Sequence, residues 1–105
     1  MDASIFVETT FVDGETKRRN IRRLRPAADE FGSENLGLLL DDAKTVLRLL
    51  QEAIVLDQVG EAIEARRKCD CCAKQRSIHD DRSRILDTLF ARNRVKWPRL
   101  RRCLC

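Results

Sequence analysis

The 105 residues predict an α+β fold: an N-terminal β-hairpin, one long α-helix and a C-terminal β-hairpin closed by paired cysteines. Three observations carry this. Residues 4–11 alternate with a period of two and run into Asp13-Gly14. An apolar 3–4 spacing then persists from about Leu40 to about Lys68. Two tight cysteine pairs, Cys69-x2-Cys72 and Cys103-x-Cys105, bracket a second alternating stretch. The expected organisation is a hairpin and linker over 1–35, a long helix over 36–68 and a cysteine-closed basic module over 69–105.

In the first hairpin, Ile5, Val7, Thr9 and Phe11 take one face, and Phe6, Glu8 and Thr10 the other. Asp-Gly is a strong turn signal because both residues tolerate positive φ. Residues 17–24 return as a polar strand with Ile21 and Leu24 as its apolar contacts. Lys17, Arg18, Arg19, Arg22, Arg23 and Arg25 crowd that strand. They read as the solvated charges of a protected edge strand, or as a second phosphate-contacting patch. Pro26 to Gly37, with Pro, Gly, Ser and Asn, reads as a linker.

The helix carries Leu40, Ala43, Leu47, Leu50 and Ile54, and Val46, Leu49, Ala53 and Val55 widen the stripe. At 1.5 Å per residue it spans about 40 Å. Asp41 and Asp42 suit the positive N-terminal end, and Arg66, Arg67 and Lys68 the negative C-terminal end. Gly60 is the weak point, a candidate bend or break. The stripe has two readings: core packing against the first hairpin, or a dimerisation seam.

After Cys72 a polar segment is expected from Ala73 to Arg84. Residues 85–90 read as a strand, Ala91-Arg92-Asn93 as a turn with Asn93 at positive φ, and 94–97 as the return strand. Val95 and Trp97 share a face of it. Pro98 lacks an N–H and should end the strand or lie on an edge. Leu100 is expected under the cysteines.

Hydrophobic residues make up 43% of the chain, which fits a folded rather than a disordered protein. A chain this short buries only a modest core, so a metal would add stability. The net charge of +4 hides an asymmetry. Residues 1–65 hold 8 Lys+Arg against 13 Asp+Glu, giving −5, whereas residues 66–105 hold 13 against 4, giving +9. The basic charge travels with the cysteines, and such a lobe attracts phosphate. The first residues lack a basic n-region and a long apolar run, and five cysteines is an odd number for a disulfide framework. No stretch has the roughly 20 apolar residues of a membrane span. A reducing, cytoplasmic home is expected.

Paired thiols on either side of a hairpin suit a tetrahedral zinc, with thiolates at about 2.3 Å from the ion. The expected set is Cys69, Cys72, Cys103 and Cys105, in a zinc-ribbon-like module. Cys71 lies inside the first pair and could replace either neighbour. The two-residue gap favours Cys69 and Cys72. His79, the only histidine, reads as a loop residue rather than a ligand. Asp80, Asp81 and Asp87 read more simply as counter-charges to Arg82 and Arg84 than as metal carboxylates. Arg92, Arg94, Lys96, Arg99, Arg101 and Arg102 are the candidate DNA-binding residues, since arginines on a hairpin can track a phosphate backbone. Trp97 among them either fills the small ribbon core or stacks on a base. There is no Gly-rich phosphate loop and no nucleophile placed by motif, so a catalytic role is not expected.

Leu36-Gly37-Leu38, Asp42-Ala43-Lys44, the helix into Cys69-x2-Cys72, Asp87-Thr88-Leu89-Phe90, Pro98-Arg99-Leu100 and Cys103-x-Cys105 together resemble the N-terminal region of ISKra-type insertion-sequence transposases. The resemblance covers about residues 36 to 105. In that family the region precedes a DDE-type catalytic domain, which joins DNA with two divalent metals. The family usually shows Cys-Pro-x-Cys-Gly at the first knuckle and Gly after Thr-Leu-Phe. Here Asp70, Ala73 and Ala91 stand at those positions. The resemblance implies a truncated or split transposase: a non-catalytic DNA-binding or assembly fragment, with structural zinc and with transposon ends or non-specific duplex as its partner. A helix-mediated homodimer regulating a full-length transposase is the alternative.

Overall fold

The computed structural model describes residues 1–25 and 37–104. The linker expected over Pro26 to Gly37 falls outside them except for Gly37, and so do Leu36 and Cys105. The element order is β1 (Ala3–Thr10), β2 (Thr16–Leu24), α1 (Leu40–Arg67), β3 (Ile78–Asp87) and β4 (Arg92–Leu100). The strands form two separate antiparallel pairs, β1–β2 and β3–β4. This is the α+β layout that the sequence predicts. The chain divides into two compact units, Met1–Ala53 and Ile54–Cys105.

In the first unit the alternation of β1 holds: Ile5, Val7 and Thr9 are half-buried, and Phe6 and Glu8 are exposed. Asp13-Gly14 lies in the turn, as the sequence predicts, and of the two only Gly14 takes positive φ, at 89°. Asp13 contributes through its side chain, whose Oδ1 accepts the Glu15 N–H at 2.9 Å. The Phe11 N–H donates to Glu15 O and the Gly14 N–H to Phe11 O, closing a five-residue loop rather than a two-residue one. Ile5 pairs with Arg22 and Phe6 with Asn20, so Ile21 is the extra residue of a bulge. The bulge explains the three-residue spacing of Ile21 and Leu24, both half-buried. On the outer face the Arg18 guanidinium lies 4.3 Å from the Phe6 ring centroid.

Helix α1 runs unbroken through Gly60, and its first and last turns carry Asp41, Asp42 and Arg66, Arg67. Its apolar stripe is not turned as one core face. Val46, Leu49 and Ala53 are covered, and Asp42 on the same face binds Arg22 of β2 at 3.0 Å. Those positions follow i, i+4, i+7 and i+11. Leu40, Leu47 and Ile54, which the core-packing reading buries, are 70%, 41% and 40% exposed. The helix is apolar around most of its upper circumference, so one side can be covered while another stays in solvent.

The second unit corrects the expected hairpin. The segment expected to be polar loop from Ala73 to Arg84 enters a strand at Ile78, and β4 begins at Arg92 rather than at 94. The turn is Thr88 to Ala91, where the Thr88 N–H and Oγ1–H both donate to Ala91 O at 2.9 Å. Asn93 is not the positive-φ residue. It is a buried strand residue whose Nδ2–H donates to Leu86 O and Thr88 Oγ1, bracing the turn from below. Pro98 lies inside β4 opposite Asp81. It is tolerated because each strand of a two-stranded sheet has an open edge. His79 is an exposed strand residue at a bulge between Ile78 and Asp80, not a loop residue.

Only Ala53, Val55 and Val95 are buried apolar residues among those described, and no large side chain is fully enclosed. A core this small leaves a large share of the stability to other sources.

Candidate metal centre

The C-terminus of α1 leads directly into the first cysteine pair. Lys68 and Gln75 form an isolated bridge. The Cys69 N–H donates to Lys74 O at 2.9 Å, and the Ala73 N–H to Cys69 O at 3.0 Å. The loop turns back because Ala73 takes the left-handed conformation, with φ 59°. A side chain there costs about 1–2 kcal/mol. Gln75 Nε2–H donates to Glu64 Oε2, and the Arg67 Nε–H to Arg76 O, so the loop is fastened to the helix.

The second limb comes from the end of β4. The Arg101 N–H donates to Ser77 O, and the Arg76 Nε–H to Arg101 O. These bonds carry Cys103 back to the first pair. The Sγ atoms of Cys69, Cys72 and Cys103 all lie within 4.8 Å of one another. Cys72 Sγ and Cys103 Sγ are 3.4 Å apart, within reach of a thiol hydrogen bond. A tetrahedral zinc with 2.3 Å bonds places its sulfurs about 3.8 Å apart. The three sulfurs therefore reach the spacing of one metal ion with changes of no more than about 1 Å in their separations. None of the described cysteines forms a disulfide. Cys71 is exposed and outside the cluster, so Cys72 is the second thiol of the centre, as the two-residue gap predicts. Cys105 falls outside the described residues, and His79 is not in the cluster.

Beside the cysteines opens a cleft of about 780 Å³. Trp97, Pro98 and Leu100 line it with Cys69 and Cys103. Leu100 therefore lines the same cleft as Cys69 and Cys103. Trp97 is half-buried rather than fully enclosed. The Arg66 guanidinium lies 4.9 Å from its ring centroid and that of Arg84 5.1 Å. Such contacts give about 0.5–1 kcal/mol each at exposed sites.

The six basic residues singled out by sequence divide into two sets. Arg92 binds Asp87 at 2.9 Å, and Arg99 grips Asp80 with two hydrogen bonds, one of 2.6 Å. The Arg99 guanidinium holds the Asp80 carboxyl below its ordinary value. Arg94, Lys96, Arg101 and Arg102 are exposed and make no ion pair among the described residues. Arg92, Arg94 and Lys96 alternate with the inward Asn93, Val95 and Trp97, so they share the outer face of β4. Sequence reasoning missed the cleft. Arg66 and Lys68 read only as charges suiting a helix end, although their place directly before Cys69 was the available signal.

The fold and the centre define a small two-hairpin protein with a three-thiol cluster that could hold a metal. The chain matches no protein-family model, no curated protein and no solved structure. Among the described residues, no helix is long and apolar enough to cross a membrane.

Proposed function

We propose that this chain is a zinc-stapled DNA-binding module, the non-catalytic DNA-binding or assembly part of a transposase. The zinc reading rests on three clustered thiols, soft ligands that favour zinc among abundant cations. The Cys103-x-Cys105 spacing in the sequence offers Cys105 as the fourth thiolate. The DNA reading is carried by the outer face of β4 and the segment after it. There Arg94, Lys96, Arg101 and Arg102 are exposed and make no ion pair among the described residues. Unpaired surface cations of this kind contact phosphates and release counterions. The transposase assignment is supported by the set of residues from Leu36 to Cys105 quoted above as a resemblance. On this reading the reaction itself belongs to another polypeptide segment, as the resemblance implies.

Fluorescence anisotropy with a labelled duplex tests this reading. Binding with Kd of about 10⁻⁴ to 10⁻⁶ M, falling steeply with salt, is expected. The Arg94→Ala/Lys96→Ala double variant should flatten the salt slope by about two units, one per lost contact. Arg92→Ala should do less, because Asp87 already engages that guanidinium. Binding that ignores salt would refute the reading.

A second reading has its own support. Leu40, Leu47 and Ile54 are exposed at seven-residue intervals on α1. That is a coiled-coil spacing, which fits a second copy of the same helix.

A further inference from the structure

The cleft beside the cysteines has a composition that the outer face of β4 lacks. It joins an aromatic floor to a ring of cations. Arg66, Lys68, Arg76 and Arg102 line it against one carboxylate, Asp70. Arg76 is committed, since its Nε–H donates to Arg101 O. Lys68 and Arg102 are exposed and make no ion pair among the described residues. Arg66 has the Trp97 ring as its contact, at 4.9 Å. At about 780 Å³ the cleft lies within the roughly 300–1,000 Å³ of sites that hold small organic ligands.

We propose that this cleft binds one unpaired nucleotide of single-stranded DNA. The base lies on the Trp97 indole, in the place that the Arg66 guanidinium occupies in this structure. Arg66, with no carboxylate to hold it, turns to the phosphate together with Lys68 and Arg102. Duplex DNA keeps its bases stacked and cannot offer one to the indole. A planar base has a π-face whatever its sequence, so recognition is of strandedness rather than of sequence. The inference rests on the DNA-binding reading above and adds which DNA form this site takes.

Trp97 is the only tryptophan, so its emission reports on this cleft alone. The experiment uses the full chain with zinc under reducing conditions. The probe is a single-stranded oligo(dA) of about 12 nucleotides, within the usual site size of single-strand binders. Quenching of Trp97 is expected with this probe. Little is expected with a duplex of the same length, or with an abasic oligomer of the same charge. By anisotropy, Trp97→Leu should weaken single-strand binding about 5- to 100-fold, the effect of losing one stacked base, and leave duplex binding nearly unchanged. Lys68→Ala/Arg102→Ala, which leaves the indole and the cysteines in place, should reduce quenching at a given oligo(dA) concentration. Equal quenching by the abasic oligomer would overturn the proposal and leave the charge-driven reading standing. Absence of all DNA binding by anisotropy would remove both.

Discussion

Replacing Cys103 by serine removes the one described sulfur that ties the end of β4 to the loop after α1. The structure sets the size of the effect. The buried apolar side chains of residues 54–104 are Val55 and Val95. At about 1.5–3 kcal/mol for each fully buried side chain, they contribute about 3–6 kcal/mol together. A structural zinc contributes about 10–16 kcal/mol, so the metal term is the larger. Loss of an outer-sphere partner already lowers metal affinity about 10- to 100-fold, and loss of a direct thiolate should exceed that, costing upwards of about 3 kcal/mol. The wild-type chain should hold one zinc under reducing conditions. Cys103→Ser should release it to a chromophoric chelator at much lower chelator concentration and lose the β3–β4 amide pattern in NMR spectra. The β1–β2 hairpin, which contains no cysteine, should persist. Cys71→Ser serves as the control, because Cys71 is exposed and outside the cluster. Equal zinc retention and an unchanged melting temperature in Cys103→Ser would refute the reasoning. So would a zinc stoichiometry near zero in the wild type.

Three further outcomes are expected. Ala73→Gly should raise stability to chemical denaturation by about 1 kcal/mol, since glycine takes φ 59° without the penalty of a Cβ; a destabilised variant would count against this. Asp80 is held below its ordinary value of 3.8 by its bonds to Arg99, so its stabilising contribution is present above that pH and is lost as pH falls through the lowered value. A carboxyl-carbon NMR titration should show Asp80 protonating below its ordinary value, and Arg99→Ala should raise that midpoint back toward it. Leu47→Glu on α1 should convert any dimer to monomer in sedimentation and leave zinc content unchanged, whereas a surviving dimer would place the seam elsewhere.

What the sequence conveyed depended on whether the signal was local. The helix ends were legible in Asp41, Asp42, Arg66 and Arg67 because end charges act within a turn. Gly60 suggested a break, but its cost of about 1 kcal/mol is small for a helix of 28 residues. Strand β3 was hidden. Ile78-His79-Asp80-Asp81-Arg82-Ser83-Arg84 shows no alternation, and its pairing is imposed by β4 and by the ion pairs of Asp80 with Arg99 and Asp87 with Arg92. The bulge at Ile21 was equally hidden, since register belongs to both strands together. The cysteine cluster was legible through its spacing. Which face of α1 would be covered was not, because apolar residues surround much of its N-terminal half.

Each described sheet has only two strands, so all four strands carry one unpaired row of backbone N–H and C=O groups. Such rows invite pairing with another chain, and repulsion between like charges is a common guard against it. Strand β2 carries Lys17, Arg18, Arg19, Arg22 and Arg23, and β4 carries Arg92, Arg94, Lys96 and Arg99. Those cations are therefore expected to oppose edge-to-edge pairing between copies of the chain. A polyanion that neutralises them removes the guard while leaving the strand edges bare. The protein should be least soluble near charge equivalence with DNA and dissolve again on either side of it.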